Sequence, residues 1–187
     1  MNVTATGGSL RKTAGCGGCS DAGAYSQQQV SVAGFMQLTM SESDTLRFIG
    51  LTSGSSGTAA GDIKFGLRLQ SGRAEVRESG AYRSEIAVAT GDTLRISVSG
   101  GTVQYSKNGA VFYTSSGAGS SMQVKASLYD IGATLSNVTI GSTTSATTSA
   151  AAASAAATTP ATTGGGTSGS GGAMSTAAKR SAQKKGG

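Results

Sequence analysis

Apolar and polar residues alternate in short runs along the first 140 residues, and this period of two constrains the fold more than any other feature. In the run 62–69, apolar residues occupy every second position from Ile63 to Leu69, while Lys64 and Arg68 fall between them. Successive side chains of a β-strand point to opposite faces, so this run predicts a strand with one buried face. The same alternation recurs at 34–40 and 93–98.

Turn dipeptides separate these runs. The strongest is Asn108-Gly109, which supplies the two positive-φ residues of a type I′ hairpin turn. The others are Ser71-Gly72, Ser79-Gly80 and Gly100-Gly101. About a dozen short strands joined by tight turns, without a helical stretch, predict an all-β, antiparallel jelly-roll-type β-sandwich.

Composition changes near residue 140. We expect a sandwich over 1–140, a flexible Thr/Ala/Ser/Gly-rich linker over 141–173 and a basic disordered tail over 174–187, because these last segments have almost nothing to bury. Eleven Lys/Arg and nine acids precede the linker, so most of the net charge of +6 belongs to the tail. The tail cations are Lys179, Arg180, Lys184 and Lys185.

A folded part close to neutrality does not indicate a nucleic-acid-binding face. The tail itself either makes a weak, salt-sensitive contact with nucleic acid, an anionic surface or an acidic partner, or serves as a solubilising end. We expect no membrane span, because no window approaches 18 consecutive apolar residues. The first residues also lack the charged and apolar regions of a signal peptide.

Cys16 and Cys19 form a C-x-x-C motif in a glycine-rich stretch. A zinc site within one chain would need a second pair of ligands, and a thioredoxin-like role would need a βαβ unit. Neither is found in the sequence. A local disulfide that closes the turn, or two free thiols, remain as the two interpretations.

The residues of a catalytic site are missing from the pattern. The chain has no His, so its many Ser residues have no base of that type to activate them. Glu75 and Glu78 would face opposite sides of a strand, and Glu42 and Asp44 share a face only within a turn. Glycoside hydrolysis needs two carboxylates on either side of the bond. We therefore predict that the protein is not an enzyme and needs no cofactor.

Calcium is a weaker alternative, because several oxygen ligands would have to converge. The candidate ligands are isolated in sequence, and each is also typical of a turn. They are Asp21, Asp62, Asp92, Asn108 and Asp130.

Several segments together resemble the concanavalin A-like lectin/glucanase superfamily, in particular compact SPRY-like sandwiches of bacterial and viral surface proteins. They are 21–26, 48–52, 91–96, 103–113, 126–130 and 132–138. The Tyr-x-x-Asn-Gly hairpin within 103–113 is the most specific of them. The resemblance implies a sandwich over nearly all of 1–140 and an extracellular or virion surface. It also covers lectins, glycosidases, peptide-binding modules and structural domains. This chain lacks the clustered strand acids of the hydrolases, and it has no Trp for an aromatic sugar platform.

Exposed aromatic residues and Arg on loops or on a sheet face are the candidate ligand contacts. We predict them to be Tyr25, Tyr82, Arg83, Tyr105, Asn108 and Tyr113. At least one aromatic residue around the hairpin must belong to the core. The strand arginines at 68, 73, 77, 83 and 95 lie next to Glu75, Glu78 and Glu85, which favours cross-strand charge pairing over a contact face for an acidic partner.

Two functional hypotheses follow. The first is a non-catalytic recognition module that binds a glycan or a protein surface through loops of the sandwich. The second is a structural or assembly subunit of a surface, filament or virion, which self-associates and uses its tail as a tether or packaging arm.

Overall fold

A computed structural model of the protein describes residues 2–54 and 57–142. This part of the chain contains thirteen β-strands and no helix. The strands are β1 (Val3–Thr6), β2 (Ser9–Lys12), β3 (Ala22–Val30), β4 (Ala33–Thr39), β5 (Arg47–Thr52), β6 (Phe65–Gln70), β7 (Arg73–Glu78), β8 (Ala81–Ala87), β9 (Thr93–Ser99), β10 (Thr102–Lys107), β11 (Ala110–Ser116), β12 (Met122–Leu128) and β13 (Thr134–Ser142).

The strands form two antiparallel sheets. One has seven strands in the order β1-β2-β13-β4-β9-β10-β11, and the other has six in the order β3-β12-β5-β6-β7-β8. The two sheets pack face to face over one core, which is the arrangement of a β-sandwich. The predicted all-β, jelly-roll-type fold is therefore confirmed. No helix in the described part of the chain is long and apolar enough to cross a membrane.

The core consists of the apolar residues at alternate strand positions. Met36 of β4 lies opposite Ile96 of β9, and Leu38 lies opposite Leu94, with all four buried. Phe65, Leu67 and Leu69 of the run 62–69 are buried in this core, as their alternation predicts. Ile63 departs from the prediction, because it precedes β6 and is buried on the outer face of that sheet. Burial of one large aliphatic side chain contributes about 1.5–3 kcal/mol, so the inward faces hold the two sheets together.

All four turn dipeptides adopt positive φ at both residues, which is the conformation of a type I′ turn. The φ values are 50° and 84° for Asn108-Gly109, and 47° and 83° for Ser79-Gly80. These turns join consecutive strands from β6 to β8 and from β9 to β11. The hairpin predicted at Asn108-Gly109 is confirmed.

A buried cation sits on the inward face of β5. Arg47 is fully buried, and its guanidinium lies 2.5 Å from the carboxylate of Glu42. It also donates hydrogen bonds to the backbone carbonyls of Glu42 and Thr45, at 2.6 and 2.8 Å. An unpaired buried charge would cost several kcal/mol, which these partners offset. Glu42 therefore ties the turn 41–45 to the sandwich.

The last strand passes the expected domain boundary at residue 140. β13 continues to Ser142, which pairs with Gly34 of β4. The predicted linker beyond it and the basic tail, with Lys179, Arg180, Lys184 and Lys185, lie outside the described residues.

Residues 57–64 cross the outer face of the six-stranded sheet, and we call them the covering segment. Its Ile63 is buried where two glycines lie directly opposite each other, Gly50 of β5 and Gly66 of β6. A Cβ atom on Gly50 or Gly66 would meet Ile63 Cγ2 at 2.6 or 2.5 Å. These strand positions therefore need glycine because the covering segment approaches the sheet closely.

We expect Gly66→Ala to lower the free energy of unfolding by about 1–3 kcal/mol, because the added methyl group overlaps Ile63. Gly119→Ala is the matched control, since a Cβ there meets no atom within 4 Å and its φ is not positive. Urea unfolding of the variants measures the difference. In an Ile63→Ala background the cost of Gly66→Ala should shrink, and an unchanged cost would contradict the proposed overlap.

Candidate functional site

Three polar side chains of the sheet hold the covering segment in place. Each comes from β3 or β12, and each bonds to a different residue of the segment. They are Tyr25, whose hydroxyl donates to the Gly57 carbonyl, Ser127, whose hydroxyl donates to the Thr58 carbonyl at 2.5 Å, and Lys125, whose ammonium pairs with Asp62. The segment is therefore a fixed part of this face.

Lys125 is the most buried of these anchors. Its side chain is fully buried, and its ammonium lies 5.1 Å from the centre of the Tyr25 ring. Burial by itself would lower the pKa of Lys125, but the hydrogen bonds to Asp62 and Tyr25 outweigh that effect and raise the pKa above its ordinary value. The ammonium stays charged and keeps its hold on Asp62.

An open groove of about 430 Å³ lies beside the covering segment on the same face. It is lined by Phe48, Ala60, Gly61, Ile63, Gly66, Arg68, Arg77, Gly80 and Tyr129. The rings of Phe48 and Tyr129 are 5.3 Å apart and inclined at 51°. Gly61 and Gly80 leave open space at two of the lining positions, which lets a ligand approach the backbone there.

The strands beside the groove carry an ion-pair network. Glu75 of β7 accepts a hydrogen bond from Arg68 Nη1 at 2.6 Å, and bonds from Arg77 Nε and Nη2 at 2.9 and 2.7 Å. The Glu75 side chain is 15% exposed, whereas those of Arg68 and Arg77 are 27% and 33% exposed. The guanidinium groups thus face the groove more openly than the carboxylate that holds them.

A second buried ammonium, that of Lys12, holds the backbone of Tyr129 in place. Lys12 Nζ donates to the backbone carbonyls of Tyr129, Cys16 and Cys19 at 2.7, 2.7 and 2.9 Å, and to Asp21 Oδ1 at 2.5 Å. The bonds from the Lys12 ammonium and the Cys16 backbone lower the pKa of Asp21. Cys16 and Cys19 are joined as a disulfide, with Cα atoms 5.5 Å apart. The cysteine loop is therefore bonded to the backbone of a groove residue.

Of the six predicted ligand contacts, only Tyr82 lies next to the groove. Its ring is 5.6 Å from the Arg77 guanidinium, and the residue is 51% exposed. Tyr25 lies on the same face, but its strand, β3, is at the opposite edge of the sheet from β8, the strand of Tyr82. Arg83 lies 3.3 Å from the Glu78 carboxylate.

The prediction for Tyr105 needs correction, because its side chain is fully buried and has no surface for a ligand. Its hydroxyl donates to Glu78 Oε1 at 3.3 Å. Burial and the nearby Glu78 charge raise the pKa of Tyr105. Tyr113 is half-buried against the same ring, at 5.7 Å between centres. Tyr105 belongs to the core and Tyr113 packs against it, which agrees with the expectation that at least one aromatic residue around the hairpin is a core residue.

Both polar atoms of the Asn108 side-chain amide form hydrogen bonds within the protein. Its Oδ1 accepts from the Thr93 backbone at 2.8 Å, and its Nδ2 donates to Asp92 Oδ1 at 2.7 Å. Asp92 also pairs with Lys107 at 2.9 Å. These bonds connect the turn to the start of β9.

The five candidate calcium ligands do not gather at one point. Asp92 and Asn108 meet, but Lys107 occupies the cation position beside them. Asp21 and Asp62 pair with lysines, and Asp130 accepts from the Leu46 backbone at 2.6 Å. Within residues 2–54 and 57–142, no three Asp, Glu, Cys or His side chains form a metal-binding cluster.

Three of the strand arginines, Arg68, Arg73 and Arg83, pair with an acid of the neighbouring strand, whereas Arg77 pairs within β7. Arg68 and Arg77 share Glu75, and Arg73 pairs with Glu85 at 2.6 Å. Arg95 instead lies over the Phe35 ring on the other sheet, 4.0 Å from its centre. The outward-facing arginines were thus the one feature of the sequence that could have indicated the groove. Nothing in the sequence pointed to Phe48 and Tyr129 as a pair.

No family model matches this chain, and no curated protein matches it. Among solved structures, a human SPRY domain is similar with a TM-score of 0.56 and 13% identity, over 75% of this chain and 95% of that domain. A human galectin-16 variant has a TM-score of 0.45 and 14% identity, over 64% and 94%. An alginate lyase of polysaccharide lyase family 7 has a TM-score of 0.44 and 16% identity, over 71% and 67%. The SPRY likeness shows the fold alone, a two-sheet β-sandwich like that of a SPRY domain.

The turn carboxylate Asp92 should make stability depend on pH. Hydrogen bonds from Lys107, the Ala89 backbone and Asn108 lower its pKa from 3.8 to about 2. A carboxyl with a lower pKa in the folded state stabilises the fold above its unfolded pKa, and this contribution is lost as the pH falls towards the folded pKa. As the pH falls from about 4 to about 2, the range between the unfolded and folded pKa of Asp92, the free energy of unfolding should therefore decrease less in Asp92→Asn than in the unmodified protein. Urea midpoints measured across this window test the expectation, and parallel curves would contradict it.

Proposed function

We propose that the protein is a non-catalytic glycan-binding module whose site is the groove on the six-stranded sheet. The observation that carries the proposal is the pair of Phe48 and Tyr129 rings next to the guanidinium groups of Arg68 and Arg77. Aromatic rings pack against the C–H faces of a sugar, and guanidinium groups donate hydrogen bonds to its oxygens. The groove volume falls within the range of about 300–1,000 Å³ that is usual for ligand sites.

The proposal moves the site from the loops, where we expected it, to the face of a sheet. The covering segment forms one wall, and the outer side chains of β5 to β7 form the floor. Since these side chains stand on paired strands, they are held more rigidly than loop residues would be. Such a site binds with little loss of conformational entropy.

The arrangement of Glu75 supports binding over catalysis. Both of its oxygens accept hydrogen bonds, one from Arg68 and the other from Arg77. Glycoside hydrolysis requires one carboxyl on each side of the scissile bond. The described residues that line the groove include no carboxyl group, so Glu75 beside it has no partner acid there.

Phe48→Ala should weaken glycan binding about tenfold, because the ligand loses the ring on which it packs. The glycan is first identified on an immobilised panel of neutral and acidic oligosaccharides, and its affinity is then measured by calorimetry. Phe35→Ala is the matched control, since Phe35 lies on the outer face of the other sheet under Arg95. Circular dichroism establishes that both variants are folded. Equal affinities for Phe48→Ala and the unmodified protein would place the site elsewhere.

One observation favours the second candidate function, self-assembly. Among residues 57–142 no strand pairs with the outer edge of β11, and this strand has no charged residue and no proline. Its Val111 is 51% exposed. The corresponding edge strand of the other sheet, β8, carries Arg83 and Glu85. Uncharged edge strands pair readily with further strands, so a second copy of this chain would fit along β11.

Under this second function, light scattering after gel filtration should show a dimer or larger species that grows with concentration. Val111→Lys should shift it to monomer, because a charge on the edge opposes strand pairing. Ala81→Lys on β8 serves as the control. A monomer at every concentration would remove self-assembly as a candidate.

A further inference from the structure

We infer that the glycan bound in the groove is acidic and that a carboxylate on one of its sugar rings is held by Arg68 and Arg77. This inference rests on the proposed function and specifies the class of ligand. The groove places two guanidinium groups beside two aromatic rings. An acidic sugar presents the matching features, an anionic group on a ring with apolar C–H faces.

The local charge favours an anion. Arg68 and Arg77 line the groove, and the described lining residues include no Asp or Glu. Glu75 neutralises one of the two cations from a more buried position, so the network keeps one positive charge in excess. Two further ion pairs on this face, Arg73 with Glu85 and Lys125 with Asp62, are each balanced. The excess charge is therefore concentrated at the groove.

The guanidinium groups keep donors for a ligand. A guanidinium has five N–H groups. Arg68 donates to Glu75 and Gln70, while Arg77 donates to Glu75 and, more weakly at 3.4 Å, to the Gly80 carbonyl. Glu75 fixes both side chains before the ligand arrives. Preorganised guanidinium groups bind carboxylates strongly because the planar fork matches the two oxygens.

The position of the groove favours a sugar over an acidic peptide. Extended peptides commonly bind by adding a strand to an open sheet edge. Here β5, β6 and β7 are each paired on both sides, so their backbones offer no free edge under the groove. Recognition must come from side chains, and the Phe48 and Tyr129 rings suit the flat face of a sugar ring.

The test uses oligosaccharides in pairs that differ only in charge. Oligomers of galacturonic, glucuronic, mannuronic and guluronic acid are titrated into the full chain, each beside its methyl-esterified form. We expect at least one acidic oligomer to bind about tenfold more tightly than its ester, because the ester cannot accept charge-assisted hydrogen bonds. The preference should weaken with added salt.

Arg68→Gln and Arg77→Gln, each made separately, should both remove this preference. Arg73→Gln is the matched control, because Arg73 belongs to a balanced ion pair on the same face. Near-ultraviolet circular dichroism establishes that the tyrosine packing of each variant is intact. If one variant fails to fold, the other still decides the outcome.

The outcomes separate the inference from the proposed function. If acids and esters bind equally and Phe48→Ala weakens both, the groove binds glycans but the inference is wrong. If polyglutamate binds as well as the acidic oligomers, the occupant is an acidic protein segment and the inference is also wrong. If no oligosaccharide of either kind binds on the panel or in titration, the proposed function itself fails.

Discussion

The ion pair between Lys125 and Asp62 is the interaction on which the groove depends. It ties the covering segment to β12 through an ammonium that is fully buried, while the Asp62 side chain keeps 31% exposure. Ile63 then fits over Gly50 and Gly66, which leave room for it. Without this segment the outer face of the sheet would be an open surface with no wall. The ion pair thus holds in place the segment that forms one wall of the groove.

The charged residues of the domain divide into two groups by burial. Lys12, Arg47 and Lys125 are fully buried, and each fastens a loop to the sandwich through backbone carbonyls or an acid. Arg68 and Arg77 on the outer face stay partly exposed and share Glu75. The buried group stabilises the loops, and Arg68 and Arg77 in the outward group keep donors for a ligand. A domain that is almost neutral overall can therefore have a locally positive groove.

Sequence patterns predicted the fold much better than the site. Alternation and the turn dipeptides are local, and each strand shows them within its own few residues. The groove is different, because its rings come from Phe48 and Tyr129, on segments that are far apart in the chain. Residue type alone also misplaced Tyr105, which is buried, and it gave no sign that Tyr25 holds the covering segment. An aromatic residue near a turn suits a core as well as a binding site.

The sequence by itself determined the sandwich, its hairpins and the inward face of the strands in which apolar residues alternate regularly, such as β4 and β9. These follow from side-chain alternation and from the positive φ of the turn residues, which need no distant partner. Only the tertiary structure decided which strands are neighbours, since the order β12-β5-β6-β7 brings together residues from three parts of the chain. It also decided that Lys12 and Lys125 are buried and not solvated, because burial of a charge depends on partners that fold onto it from elsewhere.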